Sequence, residues 1–160
     1  MNEPLRSRKY NRLQHYDYNQ DGAYFITICT KDRKKNLSSI VGDDAHIVLK
    51  YYGITAEKYI RNVPEIEKYV IMPDHIHIIV RLENGSMWAS TPTGKLEKTN
   101  HVANIIRSLK TLVSKELGES IFQRSYYDHV IRNQQDYNEI WQYIENNPRK
   151  WILQKRGECL

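Results

Sequence analysis

The segment at residues 67–82 constrains the fold more than any other part of this chain. Two runs rich in β-branched residues, 67–72 and 75–82, flank a Pro-Asp turn, which predicts two antiparallel strands joined by a tight connection. Side chains alternate between the two faces of a strand, so His75 and His77 are expected to point the same way. Two imidazoles on one face can bind a single cation, although two packed or edge histidines would give the same pattern.

Along the rest of the chain, β-rich runs alternate with segments of helical periodicity. Strands are predicted at residues 23–30, 39–41, 46–49, 67–72, 75–82 and 125–132. Helices are predicted at residues 50–62, 101–117 and 134–146. Asn100 and Gly118 suit the two ends of the second helix, and Pro148 is expected to break the last helix or to start a new turn.

These elements predict one domain over residues 1–160 with an α+β fold. Its helices should pack on an antiparallel sheet of four to five strands. Residues 1–20 are polar, basic and rich in tyrosine, and are interpreted as an arm that orders only on contact with something. Residues 84–100 lack periodicity and carry Gly, Ser, Thr and Pro, so a loop is predicted there.

Basic residues are clustered in the sequence, and the chain has a net charge of +5 with a pI near 9.1. Such clusters suit a polyanion such as nucleic acid, although solvated surface charge is the commoner explanation for any one of them. The 12 tyrosines fit either base stacking or core packing. The candidate DNA-binding residues are Arg6, Arg8, Lys9, Arg12, Lys31, Arg33, Arg124 and Arg132.

The number of cysteines and the hydropathy of the sequence indicate the cellular compartment in which the protein is expected. Cys29 and Cys159 are the two cysteines, and both are interpreted as free thiols in a reducing environment. The sequence has no cationic-then-apolar leader and no apolar run near 18 residues, so neither export nor membrane insertion is expected. A cytoplasmic location follows as the expectation.

The last predicted helix carries a second group of candidate residues. Its apolar stripe is centred on Tyr137 and Ile144, so Tyr137 is assigned to packing. Tyr143 and Asn147 are four apart and lie together at the flank of that stripe. With His75 and His77 they would assemble two imidazole nitrogens, an amide oxygen and a nucleophilic hydroxyl. Three neutral ligands leave a divalent ion open positions for water and phosphate oxygens.

Three motifs together resemble those of a known family. They are Met72-Pro73-Asp74-His75-Ile76-His77, Gln123-Arg124-Ser125-Tyr126-Tyr127-Asp128-His129-Val130-Ile131-Arg132-Asn133, and Tyr143-Ile144-Glu145-Asn146-Asn147-Pro148-Arg149-Lys150-Trp151. The chain resembles the single-tyrosine transposases with a His-hydrophobic-His motif, and in particular the REP-associated tyrosine transposases. The segment at residues 22–30 also resembles the family's opening strand.

This resemblance implies a ferredoxin-like sandwich, a single His-hydrophobic-His endonuclease-like domain with the histidines on a central strand. His75, His77 and Asn147 would bind Mg²⁺ or Mn²⁺, and Tyr143 would be the nucleophile. Insertion-sequence relatives carry Gln where this chain has Asn147, so the REP-associated branch is favoured. The implied partner is single-stranded or hairpin DNA, for a bacterial protein that associates with the nucleoid when bound. Insertion-sequence relatives are dimers and REP-associated ones can be monomeric, so a monomer or a homodimer is expected.

The activity expected from these residues is DNA cleavage and rejoining through a covalent 5′-phosphotyrosine, at hairpins or palindromic repeats. Two other functions stay open at this point. One is a non-catalytic nucleic-acid-binding protein on the same fold. The other, a metal phosphoesterase that uses water, would normally need more acidic ligands or a second His-x-His pair.

Overall fold

The computed structural model describes residues 13, 15–83 and 100–157. Its strands are β1 (Gly22–Cys29), β2 (Ser38–Val41), β3 (His46–Leu49), β4 (Ile66–Ile71), β5 (His75–Leu82) and β6 (Tyr127–Ile131). Its α-helices are α1 (Tyr51–Ile60), α2 (His101–Leu117) and α3 (Gln134–Arg156), and a short 3₁₀ turn spans Lys31–Arg33. No α-helix of this described part is both long and apolar enough to cross a membrane.

Four strands form one antiparallel sheet in the order β4-β5-β1-β6, and β2 pairs with β3 in a separate ribbon. Because α1 joins β1 to β4 and α2 joins β5 to β6, the chain follows the β-α-β-β-α-β path of a ferredoxin-like fold. The predicted α+β class, the antiparallel sheet and the central position of the histidine-bearing strand are therefore confirmed.

Helices cover both faces of this sheet. On one face, buried side chains such as Ile26 and Ile78 pack against α1 and α2 in the larger core. On the other face, Ile79 and Val70 pack with Ile144 of α3 in a smaller core. Burial on both faces explains why β1 and β5 are apolar with little polar alternation. The last helix is thereby fixed directly above the face that carries the histidines.

The third helix is longer than predicted: it continues through Pro148 and ends at Arg156. The prediction that Pro148 breaks the helix or starts a new turn is wrong. Proline removes one N–H donor and ordinarily costs a helix interior about 3 kcal/mol. Here Pro148 is buried and Trp151, one turn beyond it, packs against the smaller core, so packing holds the second half of α3 on the sheet.

Part of the segment predicted to be an N-terminal arm packs on the folded core. Tyr18 is buried in the larger core, and its ring lies 5.0 Å from Tyr16 and 5.9 Å from Tyr24, centroid to centroid. The Tyr24 hydroxyl donates a hydrogen bond of 2.7 Å to the Gln20 carbonyl. Residues 16–20 are therefore part of the fold because their tyrosines fill the core. Residues 1–12 and 14 of the predicted arm, and residues 84–99 of the predicted loop, lie outside the described residues.

Candidate active site

His75 and His77 begin β5 and project from the sheet face that α3 covers. Their Nε2 atoms are 3.1 Å apart, and their ring centroids are 4.6 Å apart. On the neighbouring strand β1, Cys29 pairs with His75 and Thr27 pairs with His77. The prediction that the two imidazoles share one face of a central strand is confirmed.

The opposite nitrogen of each ring is held by its own partner. Asp74 Oδ1 is 2.6 Å from His75 Nδ1, and Thr27 Oγ1 is 2.8 Å from His77 Nδ1. When each Nδ1–H donates to that oxygen, both Nε2 lone pairs face the same small space. Adjacent ligands of an octahedral cation with bonds of about 2.1 Å lie about 3 Å apart, which the Nε2 pair matches.

Burial keeps this pair neutral at pH 7. Desolvation lowers the pKa of His77 to about 3, with smaller contributions from His75 and Arg33. Desolvation also lowers the pKa of His75, and outweighs the opposing effect of the Asp74 carboxylate. The contact between His75 and Asp74 is therefore a hydrogen bond to a neutral imidazole. A neutral imidazole is the form that binds metal ions.

Two aromatic side chains of α3 lie over the histidines, and Asn147 lies between them on the same line of the helix. The Tyr143 ring is 5.3 Å from His77, and the residue is 41% exposed. Asn147 is only 6% exposed. The Trp151 ring is 6.0 Å from His75. Sequence reasoning gave Trp151 no role, although its spacing of eight from Tyr143 could have placed it on the same line of the helix.

Neither the Tyr143 phenol nor the Asn147 carboxamide makes a hydrogen bond to another described residue. The Asn147 carboxamide is therefore available to a ligand. In the same described part of the chain, no group of three His, Cys, Asp or Glu could hold a metal ion. A third protein ligand would therefore be of another type, and an amide oxygen suits Mg²⁺ or Mn²⁺.

Tyr137, the other tyrosine of α3 near the candidate nucleophile, lies in a different environment. Its ring is 5.8 Å from Trp141, and the Arg81 guanidinium lies 5.2 Å from the ring centroid. It packs against the smaller core at the far end of β5 from His75. The assignment of Tyr137 to packing is confirmed.

A basic turn stands beside the histidines. The Lys31–Arg33 turn follows β1, and Arg33 Nη1 lies 3.1 Å from Cys29 Sγ and 4.0 Å from Asp74 Oδ2. Lys35 Nζ lies 5.6 Å from the centroid of the Trp151 ring. Lys150 Nζ lies 5.7 Å from the centroid of the Tyr143 ring. These cations surround the site without bonding to the Nε2 atoms, so phosphate groups could approach among them.

The other predicted DNA-binding residues are scattered. Arg124 is exposed and close to the histidine end of the sheet, because Phe122 bridges to Thr30. Arg132 follows β6 at the opposite end, about 20 Å from His75 by strand rise. The structure does not bring Arg132 to the site, and Arg6, Arg8, Lys9 and Arg12 lie outside the described residues.

Comparison with known proteins identifies the family. Residues 19–147 match the family model of IS200-like transposases, a span that ends at Asn147. The chain belongs to this transposase family. A curated relative from Haemophilus influenzae, described as an uncharacterized protein, is 29% identical over 94% of this chain and 93% of its own length. A REP-associated tyrosine transposase of Escherichia coli K12 is 27% identical over 86% of this chain and 73% of its own length.

A solved structure extends the comparison to the fold. It is that of a REP-associated tyrosine transposase bound to a REP hairpin, and it is 25% identical to this chain with a TM-score of 0.59. The match covers 87% of this chain and 73% of the other. The resemblance to REP-associated tyrosine transposases seen in the sequence is therefore confirmed.

Proposed function

We propose that this transposase is a DNA strand transferase that cleaves and rejoins single-stranded or hairpin DNA, with Tyr143 as its nucleophile. The observation that carries the proposal is the position of Tyr143. Its partly exposed ring is 5.3 Å from His77, and its hydroxyl makes no hydrogen bond to any described residue. A phenol placed beside a cation-binding pair, and not engaged elsewhere, suits nucleophilic attack on a phosphate.

In this proposal His75, His77 and Asn147 hold Mg²⁺ or Mn²⁺. The matched Nε2 spacing, the neutral imidazoles and the Asn147 carboxamide, which makes no hydrogen bond to a described residue, support that ligand set. A bound divalent ion would supply charge neutralisation at a non-bridging phosphate oxygen. Asp74 and Thr27 orient the two rings through their Nδ1 atoms.

The covalent step is a transesterification. Tyr143 Oη forms a bond to phosphorus while the bond from phosphorus to the 3′ oxygen breaks. The phenolic proton passes to solvent and the departing 3′ oxygen takes up a proton, so one fragment ends in a 3′ hydroxyl. The other fragment is joined through its 5′ phosphate to Tyr143. Attack by a 3′ hydroxyl reverses the step and joins strands without another energy source.

Hairpin or single-stranded DNA is the proposed substrate for three reasons. A related transposase of known structure is bound to a REP hairpin. Arg33 beside Asp74, Lys35 beside Trp151 and Lys150 beside Tyr143 provide positive charge around the proposed site, which suits a phosphate backbone. An unpaired backbone also leaves the phosphorus open to in-line attack from α3.

A single chain supplies the whole proposed site. Tyr143 lies above His77 of the same chain, and α3 packs on its own sheet through Ile144. This arrangement supports a monomer as the catalytic unit, because no second copy is needed to bring the tyrosine to the histidines.

The test compares two conservative variants of the same helix. Tyr143→Phe keeps the ring, so we expect near-unchanged folding and complete loss of a covalent protein–DNA adduct. Tyr137→Phe should retain the adduct. The measurement is a denaturing gel with labelled hairpin DNA and either Mn²⁺ or Mg²⁺, with a chelator control.

An adduct lost in Tyr137→Phe but kept in Tyr143→Phe would overturn the assignment of the nucleophile. Wild-type protein that binds hairpins tightly yet forms no adduct across a broad panel of DNAs would favour a binding-only protein on the same fold.

A further inference from the structure

Tyr127 is an exposed aromatic residue on the edge strand β6, and the proposed reaction does not use it. Its residue exposure is 54%, whereas its neighbour Tyr126 is buried in the larger core. Strand alternation therefore places the Tyr127 ring on the opposite face, the one that α3 and the histidines occupy.

The register of the sheet puts Tyr127 level with the histidine pair. Thr27 of β1 pairs with Tyr127 on one side and with His77 on the other, and its hydroxyl contacts His77 Nδ1 at 2.8 Å. Neighbouring strands are about 4.8 Å apart, so the Cα of Tyr127 lies about 10 Å from that of His77. The Tyr127 ring is therefore to one side of the histidine pair and not directly over it.

No side chain in the described part of the chain contacts the Tyr127 ring through a polar or aromatic interaction. Tyr127 makes no side-chain hydrogen bond, ring contact or cation contact there. Arg124, three residues before Tyr127 in the sequence, is exposed. An exposed aromatic ring that is level with the proposed site of attack on phosphate suits the stacking of a base of single-stranded DNA.

We propose that Tyr127 is a stacking platform for a base of single-stranded DNA close to the phosphate that Tyr143 attacks. The inference rests on the proposed function, since the same DNA must reach both residues. The base would lie on the Tyr127 ring while its backbone passes over Thr27 toward His77. Stacking of this kind tolerates any base, so Tyr127 would position the strand rather than read its sequence.

The experiment measures binding and stacking without relying on cleavage. The probe is a DNA hairpin with single-stranded thymidine flanks, in which 2-aminopurine replaces one thymidine at a time. Binding is followed by anisotropy and stacking by quenching of 2-aminopurine fluorescence. Tyr127→Thr removes the ring but keeps a β-branched residue on the strand. Tyr127→Phe keeps the ring, and Tyr51→Ala removes another exposed tyrosine, 65% exposed, from α1 on the other sheet face.

We expect Tyr127→Thr to weaken binding about 5- to 100-fold and to abolish quenching at one flank position. Tyr127→Phe and Tyr51→Ala should behave as the wild type in both measurements. Unchanged binding and quenching in Tyr127→Thr would overturn the stacking role, even where adduct formation through Tyr143 stands. Equal loss in Tyr127→Phe would assign the effect to the hydroxyl and also overturn it. Wild-type protein that does not bind the probe would contradict the inference too.

Discussion

Among single residues, Thr27 is the one whose hydroxyl most directly orients a histidine of the site. Its hydroxyl is 2.8 Å from His77 Nδ1 and so directs the other nitrogen, Nε2, toward His75. Partners of this kind fix the ring orientation and tautomer of a metal-binding histidine. The interaction spans two strands, so no local sequence pattern around His77 could have indicated it.

Thr27→Val removes this hydroxyl at nearly constant volume. We expect the affinity for Mn²⁺ to fall about 10- to 100-fold, because the His77 ring is no longer held in its binding tautomer. Isothermal titration with Mn²⁺ measures the change. Thr55→Val is the matched control, since the Thr55 hydroxyl bonds to the Tyr51 carbonyl in α1, away from the histidines. Equal Mn²⁺ affinities in the two variants would show that Thr27 does not orient His77.

Among the structural elements, α3 connects packing to chemistry. Ile144 is almost fully buried between α3 and the sheet, and it follows directly after the partly exposed Tyr143. One side of the helix therefore anchors it while the adjacent side presents the phenol to His77. The distance between Tyr143 and the histidines depends on that anchor.

Ile144→Ala should loosen α3 from the sheet. A buried Ile-to-Ala change costs about 2–5 kcal/mol, and we expect the free energy of unfolding in urea to drop by that amount. Adduct formation should slow as well, because Tyr143 loses its fixed position. Asn146→Ala, at an exposed position of the same turn, is the control. An Ile144→Ala protein as stable as this control would mean that the packing of α3 rests on other residues.

The elements also show what the sequence could predict. Local alternation and helical spacing were enough to place His75, His77, Tyr143 and Asn147 on the correct faces. The predicted length of α3 was too short. The packing of Pro148 and Trp151 against the sheet offsets the backbone hydrogen bond that proline cannot donate. Trp151 was missed because the predicted helix ended at residue 146, before the turn that carries Trp151.

At the scale of the whole molecule, the topology of the fold brings basic residues together at one end of the sheet. The net charge is +5, and basic residues at Lys31–Arg33, Lys35 and Lys150 lie around one end of the sheet. The chain folds so that β1, the basic turn and the start of β5 meet there, although they are far apart in sequence. The clustered basic residues predicted a polyanion partner, and the fold places Arg33 of the basic turn near Asp74 and Lys150 near Tyr143.

Binding to hairpin DNA should weaken steeply as salt rises. For single strands the slope of log affinity against log salt is about −0.7 for each phosphate neutralised. Replacing Arg6, Arg8, Lys9 and Arg12 by Gln should make that slope shallower by up to about 3, if all four contact phosphates. Anisotropy titrations at several salt concentrations measure both slopes. An unchanged slope in the four-residue variant would show that this cluster does not contact DNA.

Mass spectrometry of the covalent adduct tests the central claim most directly. Wild-type protein is incubated with hairpin DNA and Mn²⁺, then digested with nuclease and trypsin. Trypsin releases residues 133–149 as one peptide that contains both Tyr137 and Tyr143, and fragmentation between Ile140 and Trp141 separates them. We predict a nucleotide joined through its 5′ phosphate to Tyr143. A nucleotide on Tyr137, on Tyr127 or on any other side chain would contradict the account.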